Sequence, residues 1–341
     1  MISLLSQKTT YLISSTKNKK KFLETNFLVI VGNFCSKEKG SLLPSIKDNF
    51  LEIKMQITVH NKTLDLSTPQ VMGILNVTPD SFYAGSRKQT EQEIAERTNQ
   101  IILEGGKIID VGAFSTRPGS ADVSEEEELL RMRNGLAIVR REQPDALVSI
   151  DTFRPSVARM AVEEFGADII NDISEGRGYY NNTANANAKV DVDVNEDKPS
   201  DILLEVARLQ VPYILMSLQP DLENTVSVFL KKIKVLNSIG VKDIILDPGY
   251  GFGKDIIKGN YSLLAAQQEL KDTFNLPLLV GISRKRMIWQ LLDSSADEAL
   301  NGTTVLNTLA LDRGADILRV HDVRAAVEAT KIYLALKENT Q

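Results

Sequence analysis

The chain of 341 residues predicts an α/β fold, a (β/α)8 TIM barrel with an N-terminal β-hairpin, on three observations. Short Val/Ile/Leu runs recur eight times along the chain, helix-like segments separate them, and a polar side chain ends almost every run. Nearly continuous apolar runs of this length suit parallel strands covered on both faces. Eight strand–helix units also fit the roughly 250 residues of a closed barrel. A doubly wound sheet is the alternative, but it rarely sustains eight regular units, and the G-x-G-x-x-G turn after the first strand is missing.

Residues 1–54 stand apart. They hold nine Lys and four Asp/Glu, whereas residues 55–341 hold 31 basic and 41 acidic side chains. The apolar run Phe27 to Val31 is too late and too short for a signal peptide, and the absence of Arg fits a transit peptide badly. The expectation is a disordered extension, with Met55 as the candidate initiator and 55–341 as the barrel. From Met55 the pattern alternates. Gln56 to His60, a polar turn at Asn61-Lys62, and Thr63 to Leu66 predict a hairpin, with His60 exposed and without a role.

The eight predicted strands are Val71–Leu75, Lys107–Val111, Leu147–Ile150, Asp168–Ile170, Tyr213–Met216, Asp243–Leu246, Leu278–Ile282 and Asp316–Val320. Between them, Thr90 with Glu93 and Ser124 with Glu127 suit capping boxes. Pro155 suits a first helical position and Asp322 an N-cap. Gly105, Gly166, Gly240 and Gly314 fall where helices end in a left-handed residue. The Glu125–Glu128 run complements the positive end of its helix. Gly249, Gly251 and Gly253 lack the spacing of a phosphate-binding loop and suggest a flexible βα loop. After the fourth strand, 177–200 is a low-complexity insertion. Its Asp191, Asp193 and Asn195 imitate a calcium loop, but Glu196 and Ile202 replace the required Gly and Glu.

Composition narrows the chemistry. A net charge of −5 argues against a broad nucleic-acid surface. One cysteine, Cys35, excludes an internal disulfide or thiolate cluster and points to a reducing compartment, hence the cytoplasm. Two histidines leave little room for a His-rich metal site, and no stretch approaches a membrane span.

In a barrel, residues at the C-terminal ends of strands face the active site. Here they are Asn76, Asp110, Asp151, Asn171 with Asp172, Ser217, Asp247, Ser283 with Lys285, and Arg319 with His321. Asp151, Asn171 and Asp247 suit a flat heterocycle offering amino and ring N–H donors, and Lys285 could donate to a ring carbonyl or nitrogen. Arg319, His321 and the loop Ser115-Thr116-Arg117 suit an anion. Asn76 offers a neutral oxygen to Mg²⁺. The residues thus imply a planar polar ring beside a phosphate-like anion.

These residues lie in strings that resemble dihydropteroate synthase, in its bacterial form. They include Met72-Gly73-Ile74-Leu75-Asn76-Val77-Thr78-Pro79-Asp80-Ser81-Phe82, Ser115-Thr116-Arg117-Pro118-Gly119, Asp247-Pro248-Gly249-Tyr250-Gly251-Phe252-Gly253-Lys254, Ser283-Arg284-Lys285 and Arg319-Val320-His321-Asp322. The resemblance implies condensation of 6-hydroxymethyl-7,8-dihydropterin pyrophosphate with p-aminobenzoate. It implies that Asp151, Asn171, Asp247 and Lys285 hold the pterin between Met216 and Phe252, beside Gly281. It implies that Asn76, Arg319 and His321 hold pyrophosphate and Mg²⁺, that Thr116 and Arg117 close over the site, and that the protein is a homodimer. Asp151, Lys285, Arg319 and His321 would be the catalytic set. The chain departs from the family at Ala84-Gly85-Ser86, where Asp-Gly-Gly is usual, at Ser217, where His is usual, and at Phe114, where many members have Glu. The alternatives are a pterin-dependent methyltransferase, which needs no pyrophosphate clamp, and a catalytically weakened pterin-binding relative.

Overall fold

A computed structural model describes residues 56–60, 62–77, 87–114, 123–178 and 198–339. The expected N-terminal extension, the loop with Ala84, the loop with Thr116 and Arg117, and most of the insertion, 179–197, lie outside the described residues. The described residues all belong to one compact unit, Ile53–Gln341.

The hairpin is present as β1 (Gln56–Val59) and β2 (Lys62–Asp65), antiparallel. Val59 pairs Lys62, so Lys62 already belongs to the second strand rather than to the turn that the sequence suggested. His60 takes φ +47°, the positive φ that tight hairpin turns require.

Eight parallel strands follow: β3 (Gln70–Asn76), β4 (Ile108–Gly112), β5 (Leu147–Asp151), β6 (Ile169–Asp172), β7 (Tyr213–Met216), β8 (Ile244–Asp247), β9 (Leu279–Val280) and β10 (Ile317–Val320). Their order is β8-β7-β6-β5-β4-β3-β10-β9. A parallel bridge between Leu246 and Leu278 joins the two ends, so the sheet is a barrel, with its thinnest seam between β8 and β9.

Helices α1 (Arg87–Leu103), α2 (Glu125–Glu142), α3 (Pro155–Phe165), α4 (Asp201–Leu209), α5 (Leu222–Ser238), α6 (Lys258–Ala265), α7 (Gln267–Phe274), α8 (Arg286–Trp289), α9 (Leu300–Asp312) and α10 (Val323–Glu338) alternate with the strands. Among these helices none is long and apolar enough to cross a membrane. Ser124 accepts the Glu127 N–H at 3.2 Å, and Pro155 opens α3, as expected. Thr90 does not cap α1, which already starts at Arg87 because Arg, Lys and Gln are good helix formers. Asp322 sits at the N-cap of α10 but makes no cap bond. Its carboxylate instead takes a two-pronged hydrogen bond from Arg284, 2.8 Å on each side.

The core has two parts. Strand residues facing outward pack under the helices, including Val71, Ile109, Val111, Ile150, Tyr213 and Leu246. Inside the barrel, Met72, Ile108, Ile169, Ile214, Ile245, Leu279 and Ile317 meet Ile57, Leu64 and Leu66 of the hairpin segment. The hairpin therefore plugs the N-terminal end of the barrel. A buried carboxylate fastens it: Asp168 receives the Lys62 ammonium at 3.1 Å, Arg140 at 3.3 Å and the Val148 N–H at 2.9 Å. His60, expected to stand away from polar groups, lies 3.6 Å from the other oxygen of Asp168.

Candidate active site

Side chains alternate along a strand, so the residue two places beyond an inward apolar one also faces the barrel axis. Two places above Ile108, Ile169, Ile214, Ile245, Leu279 and Ile317 stand Asp110, Asn171, Met216, Asp247, Gly281 and Arg319. The apolar layer and the polar layer are thus set by one register. Asp151 joins the second layer, because Asp151 pairs Asn171 across β5 and β6.

The layer is tied together by charge. Arg319 donates through Nε to Asp110 Oδ2 at 2.6 Å and through Nη2 to Asp151 Oδ2 at 2.5 Å. The guanidinium therefore pairs inward rather than standing alone at the rim. Burial opposes its charge, but Asp110 and Asp151 outweigh that and hold it protonated. Asn171 Nδ2 lies 3.3 Å from Asp110 Oδ2, a long contact, and Asn171 Oδ1 is buried with no hydrogen-bond partner among the described residues. A buried orphan acceptor is costly unless a ligand supplies the donor. Burial pushes the Asp151 carboxyl up to about 7, against the pull of Arg319 and with help from Asp110.

Asp247 completes the floor. Its Oδ1 accepts the Gly249 N–H at 2.8 Å, and burial raises its carboxyl, partly offset by Lys285. Lys285 is pushed down to about 8 by burial, with Asp247 opposing. Its ammonium donates to the Tyr250 carbonyl and lies 4.5 Å from the centre of the Phe252 ring. Phe252 and Met216 thus provide apolar surface beside polar groups.

His321 and Asn76, expected beside an anion, lie along one flank. His321 Nδ1 is 3.0 Å from Ser283 Oγ, which also accepts the His321 N–H at 3.1 Å. A cleft of about 320 Å³ is bordered by Asn76, Thr90, Glu93, Ile94, Arg97 and His321. Arg97, which the sequence did not single out, donates to the His321 carbonyl at 2.5 Å and to the Ile74 carbonyl at 3.3 Å. Asn76 is exposed at the end of β3. A Cβ added to Gly112 would lie 3.7 Å from Asn76 Oδ1 and 3.8 Å from Asp151 Oδ2, so both oxygens border one small space that the glycine leaves open.

Three residues expected at the mouth turn elsewhere. Asp172 faces outward, accepting the Tyr213 hydroxyl at 2.5 Å and the Ser174 N–H at 2.6 Å. Ser217 is buried, 3.3 Å from the Thr225 hydroxyl, and caps the Gln219 N–H at 3.2 Å. Ser283 serves His321. The glycines of 249–253 are not a flexible stretch. A Cβ on Gly249 or Gly253 would lie 1.9 Å from the carbonyl oxygen of Ser217 or Leu218, so backbone packs directly on backbone. Lys254, pushed down to about 8 by burial, donates to the Gly249 and Phe252 carbonyls at 3.0 Å each. Phe114, one of the departures from the family pattern, stacks edge-on against Phe153 at 5.6 Å.

Comparison with known proteins agrees with this geometry. A family model described as pterin binding enzyme matches residues 72–321. The dihydropteroate synthase of Escherichia coli K12 is 38% identical, over 84% of this chain and 99% of the relative. That of Bacillus subtilis is 34% identical, over 82% and 93%. Among solved structures, Xanthomonas albilineans dihydropteroate synthase with 4-aminobenzoic acid aligns at TM-score 0.70 and 32% identity, over 83% and 98% of the two chains. A Yersinia pestis enzyme with a pterine–sulfa conjugate aligns at 0.66 and 33%, over 84% and 99%.

Proposed function

Because the chain belongs to the dihydropteroate synthase family, we infer that its barrel mouth carries out that family's reaction: 6-hydroxymethyl-7,8-dihydropterin pyrophosphate and p-aminobenzoate combine to give 7,8-dihydropteroate and pyrophosphate. The chain is accordingly a transferase of folate biosynthesis. The observation that carries the reading is the polar floor, in which buried Asn171 and Asp247 stand with half-buried Asp151 and Lys285 and Asn171 Oδ1 lacks a donor among the described residues. A pterin ring offers an amino group and a ring N–H to such acceptors and a carbonyl to such an ammonium.

Asp247 would accept from the amino group and ring N–H, Lys285 would donate to the ring carbonyl, and Met216 and Phe252 would close the faces of the ring. Gly281 leaves room at the rim, since a Cβ there would only touch Arg319, 3.9 Å away. Asp151 would hold the ring edge with Arg319, whose paired guanidinium is fixed in place before substrate arrives. His321 and Arg319 would stabilise the departing pyrophosphate as its C–O bond breaks. The pterin methylene is then a cation conjugated with the ring. The p-aminobenzoate nitrogen attacks it, forms the new C–N bond and loses its proton. Thr116 and Arg117, outside the described residues, would exclude water from that cation.

We also propose Mg²⁺ at Asn76. Among the described residues no cluster of His, Cys, Asp or Glu could hold a metal by itself. A lone amide oxygen fits an ion carried mainly by water and phosphate oxygens. When bound, Mg²⁺ would neutralise charge on pyrophosphate. Asn76→Ala should raise the Mg²⁺ concentration needed for half-maximal turnover, and an unchanged requirement removes Asn76 from the site. A homodimer and a cytoplasmic setting complete the reading. The first is supported by exposed Val305 and Leu309 on α9 and Ile332 and Leu336 on α10, and the second by the single cysteine.

The test is a coupled assay for pyrophosphate release with and without p-aminobenzoate. Release that depends on the amine supports the synthase. Pterin binding without release overturns the synthase and points to a sequestering protein, and a chain that neither binds pterin nor releases pyrophosphate overturns both readings.

A further inference from the structure

Glu175 occupies a position that physical chemistry disfavours twice. Its backbone has φ +62°, in the left-handed region that favours glycine, and its side chain is fully buried. A glycine would relieve the first difficulty and remove the second. Such strain persists only where the surroundings require it, and it concentrates near functional sites.

The carboxylate reaches from the turn after β6 to the turn after β7. It accepts the Leu218 N–H at 2.8 Å and the Gln219 side-chain amide at 3.0 Å, and Arg177 pairs with it from its own loop. The segment it grips, 217–219, directly follows Met216, the apolar wall at the end of β7. It is also the surface on which the β8 loop rests. Gly249 packs against the Ser217 carbonyl, Gly253 against the Leu218 carbonyl, and the Lys254 ammonium lies 3.4 Å from the Ser217 carbonyl oxygen. Lys254 also binds the carbonyl of Phe252, whose ring lies against the Lys285 ammonium. A continuous run of contacts therefore leads from Glu175 through 217–218 and 249–254 to the ring-binding side of the mouth.

We propose that Glu175 is a positioning residue for pterin binding: by gripping the Leu218 N–H and Gln219, it sets where Met216, Phe252 and Lys285 stand. This rests on the reading of the mouth as a pterin site. The same turn begins the 177–200 insertion, whose far end is tied back where Ser200 donates to the Gly176 carbonyl at 2.7 Å. The grip is thus built where this chain's sequence is least regular. Met216, Phe252 and Lys285 at the end of this run are the groups assigned to the ring, so the effect should fall on ring binding more than on use of the amine.

Two variants of the full chain test this. Glu175→Gln keeps the shape but turns an amide N–H₂ toward groups that are themselves donors. Glu175→Gly removes the carboxylate while relieving the positive φ, so the fold is kept. Three quantities are read: exchange of the Leu218 amide, calorimetric affinity for 6-hydroxymethyl-7,8-dihydropterin, and the KM for p-aminobenzoate. The expected result is exchange faster by about tenfold or more, since a native hydrogen bond protects that amide. Pterin affinity should fall about tenfold in both variants, with the KM for p-aminobenzoate within about twofold of wild type. Pterin affinity within about twofold in both variants overturns the proposal. So does a matched loss for both substrates that follows a loss of melting temperature, which would mark Glu175 as merely structural. A wild-type chain that binds no pterin would instead overturn the functional reading itself.

Discussion

At the scale of single residues, the mouth is a set of ionisable groups displaced toward one another. Burial pushes Asp151 up to about 7, against Arg319 and with help from Asp110, and pushes Lys285 down to about 8, against Asp247 and with help from Arg319. Both are charged only in the narrow interval between. Pterin affinity should therefore rise as pH climbs through about 7 and fall above about 8. Calorimetry across that range checks it: a missing acid limb removes Asp151 from the ring, and a missing alkaline limb removes Lys285. Stability responds with the opposite sign on the acid side. The folded chain holds the Asp151 proton more tightly than the unfolded one, so this contribution is full at low pH and lost as pH rises through about 7. Asp151→Asn should flatten that slope in urea titrations. Asp247→Ala should cost pterin binding about 1.5–3 kcal/mol, at least about tenfold in affinity; calorimetry that finds wild-type affinity removes Asp247 from the ring site. Most of these side chains were legible because polar residues interrupt apolar runs. Asp172 misled for a physical reason. Strands buried on both faces lose their alternation of polarity, so Asn171 and Asp172 look equivalent until the register shows which one points inward. Glu175 and Arg97 gave no signal, since each acts through backbone groups far away in sequence.

Among the elements, the hairpin and the loop at the opposite end divide the work. Asp168 is buried beneath β1 and β2, with Lys62 and Arg140 on one oxygen and His60 near the other. Removing one side of such a buried arrangement leaves uncompensated charge, typically about 3–5 kcal/mol. Asp168→Ala should lose stability of that order in urea unfolding while leaving pterin affinity unchanged, because the mouth is at the other end. Equal losses of stability and affinity would mean that the two ends are coupled. Helix starts that depend on a local side-chain bond were legible, as Ser124 shows. Asp322 was not, because Arg284, nearly forty residues earlier, competes for its carboxylate. The glycines after β8 were seen but misunderstood. Sequence shows that a residue has no side chain, not which carbonyl oxygen comes to occupy the space.

For the whole molecule, the fold was the most legible property, since eight periods of apolar residues leave few other architectures. The proposed homodimer would use what the fold leaves uncovered. Val305 and Leu309 on α9, and Ile332 and Leu336 on α10, each stand one helical turn apart and face solvent on neighbouring helices. Val305→Glu combined with Ile332→Glu should convert a dimer into a monomer in sedimentation runs, and a wild-type chain that sediments as a monomer would refute the assembly. The barrel also has one weak join. Between β8 and β9 the Leu246–Leu278 bridge replaces a ladder, and Pro277, which has no N–H to give, contributes only its carbonyl to Leu246 at 2.9 Å. Asp247 stands on one lip of this join and Gly281 near the other. A barrel that breathes would part here before anywhere else, and in parting would pull the floor of the ring pocket in two. A bound pterin would lie across that gap like a stitch, so substrate itself should damp the opening and slow hydrogen exchange along both lips.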